Sequence, residues 1–346
     1  MSWLHNTIHF CRDFEKNLET QNEDFCDLAY ECLSQKDFVK NFNEEEFVRD
    51  FINLEETPTQ FNPYSNFGSP PYTIYFSDKN RFALELYFWN GQSHTSIHDH
   101  SFEGAFTVLS GSSVETVYTF NCNDIEKPLS QGNLQAREVN YIQKGDIRKI
   151  SYKHNLIHRV IHLENPTVSL ALRTIRYEED QNDYTQKVYN FGVLASPAFA
   201  DKDYQTDMNS LKWFIERGKA PPINLFNRLK FHNKTWEYLI ESKVSNILLQ
   251  KLCLSVSTSF YQIIIDTITI NNLINSTTDP YFKKLYCLID YYYKDDEFRF
   301  ENISLLTNES AVAITQKLKK AFESNPLEEH LRVLVQKSKY RNLLKL

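Results

Sequence analysis

Along the chain the spacing of apolar positions changes period twice. In the first 60 residues apolar side chains recur at three- and four-residue intervals, which predicts helices over about 8–33 and 36–53. From residue 72 the texture becomes short runs rich in β-branched and aromatic residues: Tyr72–Phe76, Phe82–Trp89, Ala105–Leu109, Val114–Phe120, Arg148–Tyr152, Leu156–Leu163 and Val168–Ile175. Asn90-Gly91, Ser110-Gly111 and Lys144-Gly145-Asp146 place turn signals between several of these runs, so an all-β barrel or sandwich is expected. Beyond it the helical period returns. Trp236, Leu239, Ile240, Val244, Ile247 and Leu248 share one helix face, and further helices are expected over about 258–275, 280–294, 309–323 and 326–343. Thr277-Thr278-Asp279-Pro280 reads as a helix start with proline in the first turn.

Glycine usage sharpens this division. Seven of the eight glycines lie at or before Gly192 and none follows Gly218, so the last part of the chain is poorly supplied with tight positive-φ turns. The expected organisation is α+β: a helical segment at 1–60 packed on a barrel at 61–195, a connector at 196–224 broken by Pro197, Pro221 and Pro222, and an all-α domain at 225–346. A length of 346 residues with 41% apolar and 24% charged positions suits about two domains with a sizeable core.

Composition excludes several classes. No apolar run approaches the roughly 20 residues of a membrane helix, and Arg12 and Asp13 arrive too early for a secretory signal. The six cysteines lack C-x-x-C spacing, which points to reduced thiols in a cytoplasm rather than disulfides or structural zinc. A net charge of −7 argues against nucleic acid as partner. That charge is uneven, −11 over residues 1–200 and +4 over 201–346, as differently solvated faces would give. Motifs for nucleotide binding, serine hydrolysis and zincin chemistry are absent.

The candidate chemistry gathers around histidine. In Ser96-Ile97-His98-Asp99-His100 the two imidazoles lie two residues apart. On a strand they would share a face about 6–7 Å apart, close enough to converge on one metal ion. A second segment, after Gly145-Asp146, carries His154, His158 and His162, all of one alternation parity, so parity alone leaves the third ligand open among them. Three imidazoles would leave the full 2+ charge on the metal, favouring an anionic ligand such as a thiolate at an open position.

A Gly-containing turn, H-x-H, a following Gly, then G-D and a later His resembles the pattern of the cupin superfamily. Within it, Trp89–His100 (WNGQSHTSIHDH) and Leu156–Val160 (LIHRV) are similar to the cysteine dioxygenase family of thiol oxidases, over about residues 70–178. The resemblance implies a small cupin-type β-barrel in which His98, His100 and His158 bind one Fe(II). Many cupins add a Glu four or five residues after the second His. Here Gly104 and Ala105 occupy those places and Glu103 falls one short, to be swung inward by a bulge at Gly104 or left as a solvated turn carboxylate.

The departures from that family are specific. Ile74 stands where an animal-type member has its substrate-anchoring Arg, and Ala105 and Arg173 replace the Cys–Tyr crosslink. Of a Ser-His-Tyr relay only Ser169 survives, with Ala171 and Arg173 following on the same strand face. An arginine inside a barrel needs a partner, either a substrate carboxylate or phosphate or an internal acid.

The resulting expectation is a mononuclear non-haem iron oxygenase that oxidises an anionic small molecule or peptide side chain with O2, most simply a thiol to a sulfinate. Arg173 would position the anion, with Ser169 and Tyr152 as hydrogen-bond donors. The alternatives are an iron-dependent hydroxylase or cleaving dioxygenase in a biosynthetic pathway, and a non-catalytic ligand-binding sensor. Neither nucleic acid nor membrane is expected as a partner, and the C-terminal helices are a candidate homodimer interface.

Overall fold

The structure, a computed structural model, describes residues 2–20, 24–60, 71–90, 95–126, 129–175, 186–190, 194–197, 204–229, 235–236, 238–239, 242, 249, 252–253, 260–292, 309–324, 327 and 329–345. The chain divides into two compact units, residues 1–189 with 197–199, and residues 190–196 with 200–346.

The first unit begins with helices α1 (Trp3–Thr20), α2 (Phe25–Gln35) and α3 (Glu44–Ile52). The continuous helix expected over 8–33 is therefore two. Asp24 restarts the chain as an N-cap, its carboxylate accepting from the backbone N–H groups of Cys26 and Asp27, a competing bond that favours a helix end over its continuation. Asn43 caps α3 in the same way through the Glu46 N–H, and Glu44, Glu45 and Glu46 complement the positive end of that helix.

Two antiparallel sheets follow. One has the order β1 (Tyr72–Ser77), β2 (Phe82–Trp89), β9 (Thr167–Thr174), β4 (Gly104–Ser110), β7 (Ile147–Ile150). The other is a closed barrel whose ladder runs through β10 (Lys187–Asn190), β3 (His98–His100), β8 (Lys153–His162), β5 (Ser112–Glu126) and β6 (Leu129–Gln143). One face of the first sheet presents Phe82, Leu84, Leu86, Leu109, Leu170 and Leu172 to Leu4, Phe14, Leu33 and Phe47 of the helices. Phe14 meets Phe82 edge-on at 5.1 Å between ring centroids. Since side chains alternate along a strand, Glu85, Tyr87, Trp89, Ser169, Ala171 and Arg173 occupy the opposite face.

Strand β6 was not expected. It pairs with β5 along its length, from Ser112 with Gln143 to Glu126 with Leu129. Its residues 133–141 are almost all exposed or half-exposed, so no apolar alternation marked it and the ladder to β5 makes it a strand. Gly104 begins β4 with φ +156°, and a Cβ there would lie 2.1 Å from the Leu172 carbonyl oxygen. Only glycine permits that approach of two strands.

In the second unit the stretch 196–224, expected as an irregular connector, carries the helix Tyr204–Glu216. Its buried Met208 and Leu211 pack with Phe226 and Trp236, and Pro221 and Pro222 lie in the irregular break between it and the next helix, Ile223–Leu229. Further helices span Ile223–Leu229, Phe260–Asn275, Pro280–Tyr292, Ala311–Ser324 and Glu329–Lys337. Pro280 opens its helix as the spacing implied, with Asp279 accepting from the Tyr281 N–H at 2.8 Å. Most of the helix expected around 233–249 lies outside the described residues. No helix among the described residues is long and apolar enough to cross a membrane, and no disulfide joins the six cysteines.

Candidate metal centre

His98 and His100 form the ends of the three-residue strand β3, and His158 lies directly opposite His98 on β8. The register then shifts: His100 faces Lys153, so the six residues from Lys153 to His158 on β8 span what the three residues of β3 cover. Lys153 takes φ +60° at this irregularity. The shift lets one histidine of β8 sit beside both histidines of β3. All three rings are buried. Their centroids form a nearly equilateral triangle of 4.9, 4.9 and 4.8 Å, and one nitrogen from each lies within 4.8 Å of the other two.

The outer hydrogen bonds orient these rings. His98 Nδ1 lies 2.7 Å from the Ser96 carbonyl, which can only accept, so Nδ1 carries the proton and Nε2 the lone pair. His158 Nδ1 lies 2.7 Å from Glu115 Oε1, with both side chains buried. Among the described residues the buried His100 Nδ1 makes no hydrogen bond of ordinary geometry, although a backbone hydrogen bond with Leu156 acts on the ring. Burial, aided by repulsion from His158, depresses His98 to about 3. Burial likewise holds His100 well below the usual imidazole range. Glu115 is pushed up by its own burial, but the His158 hydrogen bond and charge outweigh this and leave its carboxyl below the ordinary value. Outside the triad, Asp99 ties β3 to the next strand, accepting from the Lys187 N–H and the Tyr189 hydroxyl at 2.7 Å each.

This donor set fits a metal. Three clustered imidazoles, two of them kept unprotonated by burial, suit zinc, iron, nickel or copper better than oxygen-seeking magnesium or calcium. The group could hold one divalent transition-metal ion.

Facing the triad is the inward side of the first sheet. Arg173 stacks its guanidinium 3.8 Å from the Phe102 ring centroid, and Phe102 packs edge-on against His100 at 5.2 Å. Arg173 Nη1 lies 3.6 Å from Oε2 of the fully buried Glu85, which also accepts from the Tyr87 hydroxyl at 2.6 Å. An internal acid is thus among the partners of Arg173, as one of the two alternatives open from the sequence supposed. Ser169 is engaged as well, accepting from the Trp89 indole N–H at 2.9 Å. Trp89 stacks on His162 at 4.4 Å, whose Nδ1 lies 2.9 Å from the Ser113 hydroxyl.

Tyr152 is half-buried beneath the Lys153 ammonium, 4.9 Å from its ring centroid. Glu103 is absent from the histidine group; its backbone carbonyl accepts from the Thr174 N–H at 2.9 Å. The His154 side chain lies outside the described residues. Glu85 and Glu115 were missed by sequence reasoning. The available signal was a lone carboxylate amid apolar neighbours in each strand, Leu84-Glu85-Leu86 and Val114-Glu115.

No family model matches the sequence, and no curated protein matches it. Solved structures match over part of the chain. KdgF from Halomonas sp. is 12% identical over 32% of this chain and 82% of its own, with a TM-score of 0.23. A sugar phosphate isomerase from a cupin superfamily, from Silicibacter pomeroyi, is 14% identical over 32% of this chain, with a TM-score of 0.22. This chain spans only 55% of that isomerase. The Cnp3 cupin domain of Schizosaccharomyces pombe is 11% identical over 35% of this chain and 71% of its own, with a TM-score of 0.23.

Proposed function

We propose that the protein is a metal-dependent oxygenase in which His98, His100 and His158 hold one divalent ion, Fe(II) foremost. It would oxidise a small molecule or peptide side chain with O2, most simply a thiol to a sulfinate. The observation that carries this reading is the buried triangle of imidazoles, each offering a nitrogen within 4.8 Å of the others. A purely structural core has no use for three clustered imidazoles, two of them held far below their usual basicity by burial.

Bound there, the ion would supply the Lewis acidity that lowers a thiol pKa and the redox capacity that activates O2. In the overall reaction both oxygen atoms end on sulfur, which loses four electrons as O2 gains four, so no external reductant is required. The chain's own contribution is orientation and exclusion of water. Ser96 and Glu115 hold two rings by their Nδ1 atoms, Phe102 covers His100, and Arg173 would offer a positive charge to a substrate anion shared with Glu85. Cysteines kept out of disulfides suit a reducing cytoplasm.

One observation favours a second reading with the same metal. Because Glu85 already neutralises Arg173, the inner wall is suited to a neutral substrate, as in a hydroxylating or ring- or chain-cleaving oxygenase of a biosynthetic pathway. Protein purified without chelator should carry about one iron per chain and consume O2 with a thiol, yielding one sulfinate per O2. Iron without thiol-dependent O2 uptake would select the second reading. A wild-type protein that retains no transition metal would overturn both.

A further inference from the structure

Within the molecule, the group that stands out next to the triad is a carboxylate no sequence motif marks. We propose that Glu115 is the positioning residue of the metal centre, making His158 its anchoring ligand; this rests on the metal reading above. Three observations on one strand pair carry the inference. Strand β5 lies beside β8 with Val117 opposite His158 and Glu115 opposite Val160. That register sets the Glu115 carboxylate diagonally across from the His158 ring, 2.7 Å from Nδ1. The contact is buried on both sides, where a carboxylate is costly to maintain unless a partner uses its charge.

The other contacts of Glu115 are weaker. The Asn140 amide donates to Oε2 at 3.3 Å, and Arg148 Nε lies 4.0 Å from the same oxygen, too far for a hydrogen bond. The charge therefore acts chiefly on His158. A carboxylate on Nδ1–H fixes the tautomer, aims Nε2 at the other two rings and strengthens that nitrogen as an electron-pair donor. The remaining ligands differ in kind. His98 leans on a neutral backbone carbonyl, and the hydrogen bond acting on the His100 ring is likewise to backbone, at Leu156. The three imidazoles are chemically alike in sequence and unequal in the fold, with Glu115 the source of the inequality.

The test is titration of the metal-free full-length protein with Co(II), read by competition with a chelator and by the visible d–d spectrum. Glu115→Gln keeps an oxygen to accept from Nδ1 but removes the charge; Glu115→Ala removes both. Binding should weaken about 10-fold in the glutamine variant and about 100-fold in the alanine variant, and the d–d bands should shift in both. Both variants are titrated at a temperature where circular dichroism shows them fully folded without metal, so weakened binding in Glu115→Gln separates donor strength from general destabilisation. Should the alanine variant not fold, the glutamine variant decides. Wild-type affinity and an unchanged spectrum in Glu115→Gln would overturn the role of Glu115 while leaving the metal reading intact. A wild-type protein that binds no Co(II) would instead sink the metal reading itself.

Discussion

Replacing Arg173 by methionine should destabilise the protein by about 4 kcal/mol, because it strands the Glu85 carboxylate inside the barrel. Glu85 is fully buried and the Arg173 side chain is 12% exposed, with 3.6 Å between Nη1 and Oε2. Two unit charges at this separation attract by roughly 4–5 kcal/mol at an effective dielectric of 20. The guanidinium also lies 3.8 Å from the Phe102 centroid, a cation–π contact worth about 1–2 kcal/mol in a desolvated place. Methionine keeps most of the apolar bulk and returns part of that contact. The Glu85→Gln change removes the stranded charge yet still accepts from the Tyr87 hydroxyl, so the double variant should recover at least about 2 kcal/mol relative to Arg173→Met alone. Urea unfolding of wild type, both single variants and the double variant at pH 7 in chelator gives the cycle. Costs that add within about 0.5 kcal/mol would show the pair to be uncoupled and refute the reasoning.

Acid should weaken the metal-free fold through the histidines. His98 titrates near 3 in the folded chain, so the unfolded chain binds the proton first. Its contribution is intact above about pH 6.5 and declines as pH falls toward 3, by about 2 kcal/mol at pH 5 for His98 alone. Urea midpoints at pH 7 and pH 5 should show this loss, and His98→Asn should flatten the slope. Adding metal should act in the opposite direction: at a free concentration 100 times Kd, Co(II) or Fe(II) should raise stability by about 2.7 kcal/mol, an increase that chelator reverses and His98→Ala abolishes in thermal melts. Gly104→Ala should cost more than about 3 kcal/mol or leave the protein insoluble, because the added methyl meets the Leu172 carbonyl at 2.1 Å; an unchanged melting temperature would contradict the strand geometry there.

Much of the architecture was legible locally. Strands β2 and β9 were readable from their apolar and aromatic runs, and Asp279-Pro280 announced a helix start. Elements without a local signature were not. Strand β6 is polar and exposed, and becomes a strand only by pairing with β5. The helix Tyr204–Glu216 was obscured by prolines that lie outside its bounds. His98 and His100 could be paired from their spacing because two residues on one strand share a face.

By itself, then, the chain determined the periods of its segments and the two histidines that sit side by side on one short strand, since both depend on near neighbours in sequence. Spacing left the third histidine open and only the family resemblance pointed to His158; tertiary structure brings it into the triangle, sets Glu115 behind it, and matches Arg173 with Glu85. Those outcomes depend on which strands become neighbours and on a register shift between β3 and β8. Moving a strand by one residue turns its side chains to the other face, so such meetings are properties of the assembled sheets.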